Sequence, residues 1–122
     1  MDLHKETSNE LLISYYDETK IIINNNIFSS SLCITADHKI HEVDDKIFEI
    51  NAISQILENI EQDPEIIVIG TGNQADTKLL QSIKEIQKKL SIGIELMNTP
   101  SAIRTINLLL SEGRKVFSLL KF

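Results

Sequence analysis

A run of β-branched residues that ends in Gly70-Thr71-Gly72 limits the folds open to this chain more than any other feature. Residues 65–69 read Glu-Ile-Ile-Val-Ile, with no polar side chain after the first position. An unbroken run of this kind is typical of a strand covered on both faces, as in a parallel sheet. Glycines at its end allow the chain to turn sharply. The sequence therefore predicts a buried strand over residues 65–69 that the Gly70-Thr71-Gly72 turn terminates.

Helical patterns lie on both sides of this predicted strand. After Asn51 the spacing of apolar residues changes from two to 3.6, which favours a helix that Asp63-Pro64 ends. Asp76 is placed to cap a second helix, and residues 92–97 follow it as the next strand. The apolar stripes of the two helices are Ile53, Ile56, Leu57 and Ile60 in the first, and Leu79, Leu80, Ile83, Ile86 and Leu90 in the second.

The last helix has clear signals at both ends. Thr99 is predicted as its N-cap, Pro100 as its first helical residue and Gly113 as the residue just past its end. A final strand follows over residues 115–120. Because β-α-β crossovers are nearly always right-handed, we expect the three late strands to be parallel, with their helices on one face of the sheet. The core face of this helix comprises Ala102, Ile103, Ile106, Leu109 and Leu110.

The first fifty residues have the alternation and the turn residues of antiparallel hairpins. Asn24-Asn25-Asn26 predicts a turn or bulge, since Asn tolerates left-handed backbone angles. We expect these hairpins to extend the sheet or to cover its other face. With 122 residues and 42% hydrophobic content, the chain predicts a single α/β domain over residues 1–122. The predicted strands are 12–16, 20–28, 32–36, 39–43 and a short one at 46–48.

The charge balance narrows the classes of partner. Twelve Lys and Arg against 18 Asp and Glu give a net charge of −6, which disfavours nucleic acid and anionic membranes as partners. The first ten residues are polar and acidic, unlike a secretory leader or an Arg-rich transit peptide, so we expect a cytoplasmic protein. No apolar run approaches the roughly 20 residues that a membrane-spanning helix needs.

Few side chains in the sequence suggest catalysis or metal binding. The single cysteine, Cys33, lies in a strand-like stretch without an evident base, which favours an inert thiol. His38 and His41 are three residues apart, and on a hairpin they face opposite sides, so a metal site is disfavoured. Nucleophile and zinc-protease motifs are missing. We therefore expect no metal and lean towards a protein that is not an enzyme.

The pattern Gly70-x-Gly72-x-x-Ala75, with Glu95 in the next strand, resembles a dinucleotide-binding fingerprint. Three observations disfavour that interpretation. About half of the chain precedes the strand, too few residues follow Ala75 for a second nucleotide-binding half, and Asp76 would put an acid beside the phosphates. No Gly-Lys-Ser or Gly-Lys-Thr follows the turn, so a phosphate loop is absent as well. We predict no cofactor.

A small anion is a better candidate ligand for the same region. Ligands of open parallel sheets bind beyond the carboxyl ends of the strands, and the start of a helix favours negative charge. An ion pair between Arg104 and Glu95, or a carbonyl bound by Arg104, is the structural alternative. The candidate ligand-binding residues are Gly70, Thr71, Gly72, Glu95, Thr99 and Arg104.

The stretch over residues 93–116 carries a family resemblance. It is similar to the Mth-domain family of uncharacterised proteins, which includes a mitochondrial complex I assembly factor. The chain has Ile103 and Ile106 where relatives often carry Cys and Tyr, so no thiol or phenol role is carried over. The matching positions are Gly70, Gly72, Glu95, Met97, Thr99, Ala102, Arg104, Thr105, Asn107, Glu112, Gly113 and Arg114.

The resemblance implies a three-layer α/β sandwich with a mixed sheet and an N-terminal layer of β-hairpins. It implies no established reaction. It does imply a protein partner, through a role as a binding or assembly-factor domain of a respiratory complex. The exposed edges of the N-terminal hairpins separately suggest a homo-oligomer.

Overall fold

The computed structural model describes residues 11–60 and 64–122. The predicted helix stop at Asp63 and the acidic first ten residues lie outside these ranges. The strands are β1 (Ile13–Tyr16), β2 (Ile21–Ile23), β3 (Asn26–Phe28), β4 (Ser31–Ile34), β5 (Ile40–Val43), β6 (Ile66–Thr71), β7 (Gly93–Met97) and β8 (Val116–Lys121). The helices are a 3-10 helix (Asp45–Phe48), α1 (Ile50–Glu58), α2 (Thr77–Gln87) and α3 (Thr99–Ser111).

The strands form two sheets. A five-stranded sheet has the order β5-β4-β8-β6-β7, and a three-stranded sheet has the order β1-β2-β3. In the larger sheet, β6 pairs in parallel with both β7 and β8, as the sequence predicts, whereas β4 runs antiparallel to β5 and β8. The larger sheet is therefore mixed, with its parallel part in the C-terminal half of the chain.

The helices lie on both faces of the larger sheet, so the prediction of one face is wrong. Ile67 and Leu119 pack with the buried side chains of α1 and α2. Val68 and Leu120, which point to the other face, pack with those of α3. The physical reason is strand order: β8 lies on the opposite side of β6 from β7. The first crossover leads from β6 through α2 to β7, and the second leads from β7 through α3 back past β6 to β8. Two right-handed crossovers that run in opposite directions place their helices on opposite faces of the sheet.

The three-stranded sheet shares a face of the larger sheet with α3. Three of its inward side chains, those of Ile13, Ile21 and Ile23, are at most 3% exposed and belong to the same apolar cluster as α3. The side chain of Asn107 in α3 also bonds both the backbone N–H (3.1 Å) and the carbonyl (2.8 Å) of Ile13. The fold is thus a three-layer sandwich with an N-terminal β layer, as the resemblance implies.

Two local predictions in the N-terminal half have different outcomes. The predicted strand 20–28 is divided into β2 and β3 by a turn at Asn24 and Asn25, whose φ angles are 49° and 71°, which confirms the Asn turn. The predicted strand at 46–48 is wrong, because these residues form a 3-10 helix. The Asp44 carboxylate accepts a hydrogen bond from the backbone N–H of Lys46 (2.8 Å) and starts this helix, and Phe48 is buried at its end.

The ends of α2 and α3 test the predicted capping residues. Asp76 caps α2 as predicted, accepting a hydrogen bond from the Leu79 N–H at 3.0 Å. The N-cap of α3 is Asn98, whose side chain accepts from the Ser101 N–H at 2.8 Å, so the prediction of Thr99 is wrong by one residue. Gly113 follows the last turn with φ of 77°, which confirms its predicted place.

Candidate functional site

The Gly70-Thr71-Gly72 turn and the start of α3 lie together, as the sequence predicts. The Thr99 N–H donates to the Gly72 carbonyl at 2.7 Å, and the Gly72 N–H donates to the Thr99 hydroxyl oxygen at 2.8 Å. Thr99 is fully buried. Because Asn98 caps α3, the Thr99 side chain is not needed as a cap. The Thr99 hydroxyl joins the turn to the helix instead.

The same hydroxyl reaches the end of the last strand. Thr99 Oγ1 donates to the carbonyl of Lys121 at 2.7 Å, and the next N–H, that of Phe122, donates to Ser31 Oγ at 2.8 Å. Ser31 Oγ in turn donates to the Asp45 carboxylate. One chain of hydrogen bonds thus links the carboxyl edges of β6 and β8 to the start of β4. We call this set the Thr99 network.

Gly70 is required by the close approach of α3. An added Cβ at this position would lie 3.0 Å from the Cα of Thr99 and 3.0 Å from the Cβ of Ala102. Gly72 has φ of 91°, a region that favours glycine. Thr71 donates its hydroxyl to the Gln74 carbonyl at 2.7 Å. The glycines therefore have structural roles, and the Thr71 and Thr99 hydroxyl protons are both used within the protein.

Arg104 and Glu95 do not form the ion pair weighed from the sequence. Both side chains are exposed, and Arg104 donates to Ser101 Oγ at 3.1 Å. Among the described residues no ion pair joins Arg104 to Glu95. Arg104 instead lines a groove of about 290 Å³ between β1 and α3.

On the face that carries α3, the surroundings of the turn carry negative charge. A shallow cavity of about 510 Å³ beside Asn73 and Pro100 is lined by Asp17 and Glu18 of the turn between β1 and β2. Hydrogen bonds from the Tyr15 hydroxyl and from the backbone of Thr19 hold the pKa of Asp17 well below its usual range, so this carboxylate is charged at neutral pH. Anion binding at the predicted residues stays a prediction. The negative charges of Asp17 and Glu18 close to the turn are unfavourable for a bound anion.

The remaining candidates occupy separate places. Cys33 in β4 is half-buried, and burial raises the pKa of its thiol to about 11, which suits an unreactive side chain. His41 lies opposite Cys33 in β5, and His38 lies in the turn between those strands. Within residues 11–60 and 64–122, no cluster of His, Cys, Asp and Glu is arranged to hold a metal ion.

A cleft on the other face of the sheet was not foreseen from the sequence. It has a volume of about 530 Å³ and lies between the 3-10 helix, the first half of α2 and the carboxyl ends of β6 and β8. Lys46, Lys78 and Lys121 line it, and we call it the lysine cleft. The rule that ligands bind beyond the carboxyl ends of parallel strands indicated this edge of the sheet. It did not indicate the face, because the positions of the helices were predicted wrongly.

The outer face of the three-stranded sheet carries exposed apolar side chains. Tyr15, Ile22 and Ile27 are direct neighbours across β1, β2 and β3. Tyr15 is 46% exposed and Ile27 is 65% exposed, while Ile22 is half-buried between them. We call these three residues the outer row. Lys20 Nζ lies 5.5 Å from the centre of the Tyr15 ring, so a positive charge borders the outer row.

Comparison with known families gives a match over almost all of the described chain. A family described as a protein of unknown function (DUF498/DUF598) matches residues 13–120. The 13 kDa major membrane protein of Francisella tularensis is 32% identical over 103 residues, which are 83% of this chain and 82% of that protein. In the described parts of this chain, no helix has the length and apolarity needed to cross a membrane.

Assembly factors of NADH dehydrogenase from human and rat are also similar. The human NADH dehydrogenase (ubiquinone) 1 alpha subcomplex assembly factor 3 is 25% identical over 119 residues, covering 92% of this chain and 61% of the factor. The rat factor is 38% identical over 50 residues, which are 41% of this chain and 26% of the factor. The chain thus spans between about a quarter and three fifths of these relatives.

Solved structures share the fold. A crystal structure of a protein from Bordetella parapertussis has a TM-score of 0.72 at 23% identity and covers 92% of this chain and 95% of its own. The solution structure of a Mth938-like domain from Bordetella pertussis has a TM-score of 0.64 at 18% identity, with 91% and 85% covered. At these identities the likeness establishes the architecture alone.

Proposed function

Because the chain belongs to the Mth938-like family of proteins of unknown function (DUF498/DUF598), which includes complex I assembly factor 3, we propose that it is a non-catalytic binding domain that assists the assembly of a larger protein complex. The partner we propose is a subunit of respiratory complex I, in an organism that has this complex. The cytoplasm is the compartment we propose for this role.

The outer row is the observation that carries the proposal. Exposed apolar side chains that are contiguous on one face of a sheet mark surfaces that bind other proteins. Tyr15 is well suited to such a surface, since aromatic side chains with a polar end are enriched at interfaces. Its hydroxyl is held by the Asp17 carboxylate at 2.7 Å, which fixes the ring before a partner arrives. A preordered side chain loses less conformational entropy on binding.

The name of one relative supports a partner from NADH dehydrogenase, and the name of another supports a location at a membrane. The human relative is called an assembly factor of NADH dehydrogenase, and its similarity extends over 92% of this chain, which includes the outer row. The Francisella relative is called a major membrane protein. A partner that is a membrane protein can be bound through the outer row, which is an exposed apolar surface of this domain.

Site-specific photocrosslinking in the protein's own cells tests the proposal. A photoreactive amino acid is placed at Ile27, the most exposed residue of the outer row, and crosslinked products are identified by mass spectrometry. The expected products contain subunits of complex I, and a Tyr15→Asp substitution in the same chain reduces their yield at least fivefold.

The matched control places the same photoreactive group at Lys84, an exposed position of α2 on the far face of the sheet. Complex I subunits at Ile27 and not at Lys84 support the proposal. Equal products at both positions, or products at Ile27 that contain only a second copy of this chain, overturn it. The second outcome would instead establish the homo-oligomer that the hairpin edges suggest.

A further inference from the structure

The lysine cleft has the composition of a ligand site that the proposed assembly role does not use. We propose that it binds a small organic anion. Lys46, Lys78 and Lys121 hold a phosphate or carboxylate group of the ligand, and Phe48 and Leu79 hold its apolar portion. The site lies on the α1 and α2 face of the sheet, opposite the face that carries the outer row.

The lining of the cleft carries three lysines and three carboxylates, and they differ in how far the protein itself engages them. Within the described residues, none of the three lysine ammonium groups forms a hydrogen bond or an ion pair. Two of the lining carboxylates are already engaged: Asp76 caps α2, and Asp45 accepts the Ser31 hydroxyl. Glu49 is the remaining lining acid. These carboxylates keep their negative charge, but two of them are held by donors of the protein, whereas all three ammonium groups are available to donate hydrogen bonds to a bound anion.

The wall of the cleft is apolar beneath these charges. Phe48 and Leu79 are each 6% exposed, and Ile50 stands beside them at the start of α1. Binding sites for small molecules have this make-up, in which apolar walls supply contact area and a few polar groups fix the orientation. The volume of about 530 Å³ is within the usual range of roughly 300–1,000 Å³ for such sites.

The position of the cleft agrees with the topology of the sheet. It opens beyond the carboxyl ends of β6 and β8, the two central parallel strands, which contribute Thr71 and Lys121. Ligands of α/β proteins bind at this edge. The Thr99 network holds the end of β8 from the other face, through the carbonyl of Lys121, so the backbone that carries this lysine is fixed. A fixed backbone limits the entropy lost when the ligand binds.

Titration with simple probes, followed by NMR of the 15N-labelled full chain, tests the site. The probes are phenyl phosphate, benzoate, inorganic phosphate and phenol, which separate the acid group from the apolar ring. We expect saturable shifts of the Thr71, Leu79 and Lys121 amides with phenyl phosphate or benzoate at millimolar concentration. The tighter binder of phenyl phosphate and benzoate shows whether the cleft prefers a phosphate or a carboxylate group. Affinity for inorganic phosphate and for phenol is expected to be at least tenfold weaker.

The double variant Lys78→Gln with Lys121→Gln is expected to weaken phenyl phosphate or benzoate binding at least tenfold. The matched control, Lys84→Gln with Lys89→Gln, changes the net charge equally on exposed positions outside the cleft and leaves the affinity within twofold. Equal weakening by both pairs, shifts as large with phenol as with either acid, or no saturable shift with any probe overturns the proposal. Each result is read on a folded protein, because all four lysines lie at the surface or partly at the surface.

Discussion

Gly72 and Thr99 exchange two hydrogen bonds, one through their backbones and one through the Thr99 side chain, although they lie in different elements of the fold. The pair joins the end of β6 to the first turn of α3 at a fully buried position. The joint also engages two of the donors in the predicted anion site, the Gly72 N–H and the Thr99 hydroxyl, in bonds within the protein.

Replacement of Thr99 by Val is expected to destabilise the protein by about 1–3 kcal/mol, because the buried Gly72 N–H loses its partner. The free energy of unfolding in urea measures the effect. Thr105→Val is the control within the same helix, since the Thr105 hydroxyl bonds only the weakly accepting sulfur of Met97 at 3.4 Å. Equal losses in the two variants would contradict the assigned role of Thr99.

Replacement of Gly70 by Ala is expected to cost about 1–3 kcal/mol, because the new methyl group presses on Ala102 and on the backbone of Thr99. Gly93→Ala, in the neighbouring strand, is the matched control. Its new Cβ would lie 3.9 Å from the nearest atom, the Ile66 Cγ1, an ordinary contact distance. The Gly93 variant is expected to stay within about 1 kcal/mol of the parent. If the Gly70 variant were as stable as the Gly93 variant, α3 would be able to shift at no cost in free energy, and the assigned role of Gly70 would be wrong.

Ser118 and Ser31 are both 1% exposed, but only Ser31 is bonded. Within the described part of the chain, Ser118 Oγ has no hydrogen-bond partner. Ser118→Ala is therefore expected to leave the stability unchanged or to raise it by about 1 kcal/mol, whereas Ser31→Ala lowers it by about 1–3 kcal/mol. Thermal and urea unfolding of the two variants test this, and the reverse order of stabilities would refute it.

The Cys33 thiol is expected to react slowly with iodoacetamide in the folded protein at pH 8 and much faster in urea. Burial raises the thiol pKa from its ordinary value of 9.0 to about 11. The folded state therefore keeps this proton between pH 9 and 11 while the unfolded state releases it, so the contribution of Cys33 to stability is present below pH 9 and is lost as the pH rises through this window. Unfolding free energies of the parent and of Cys33→Ala, compared across the window, measure the loss. Fast alkylation of the folded protein at pH 8 would contradict the raised pKa.

Features that depend on neighbouring residues were predictable from the sequence. The Asn24-Asn25 turn, the Asp76 cap and the Gly113 helix end follow from the backbone preferences of single residue types. The buried strand β6 follows from its unbroken apolar run. One local error, the choice of Thr99 instead of Asn98 as a cap, arose because both are good N-cap residues and adjacent in sequence.

Features that depend on strand order were not predictable in this way. The placement of α3 follows from the position of β8 beside β4, and no local pattern encodes that pairing. The same holds for the lysine cleft, since Lys46 and Lys121 are far apart in the sequence and come together only after the sheet is complete. The 3-10 helix was not predicted, because residues 46–48, with Phe48 as their one buried side chain, fit a short strand as well as they fit a turn of helix.

The place of β8 in the larger sheet has a consequence for synthesis on the ribosome. The hairpin of β4 and β5 is made early, and β6 and β7 are made later, but in the sheet the two pairs meet only through β8. Until residue 121 has left the exit tunnel, β4 has an unpaired edge, and Leu32 and Ile34 lack their final cover. Such a nascent chain is a target for chaperones and for edge-to-edge association, so β8, which is translated after both of its neighbours in the sheet, decides whether the domain closes or aggregates.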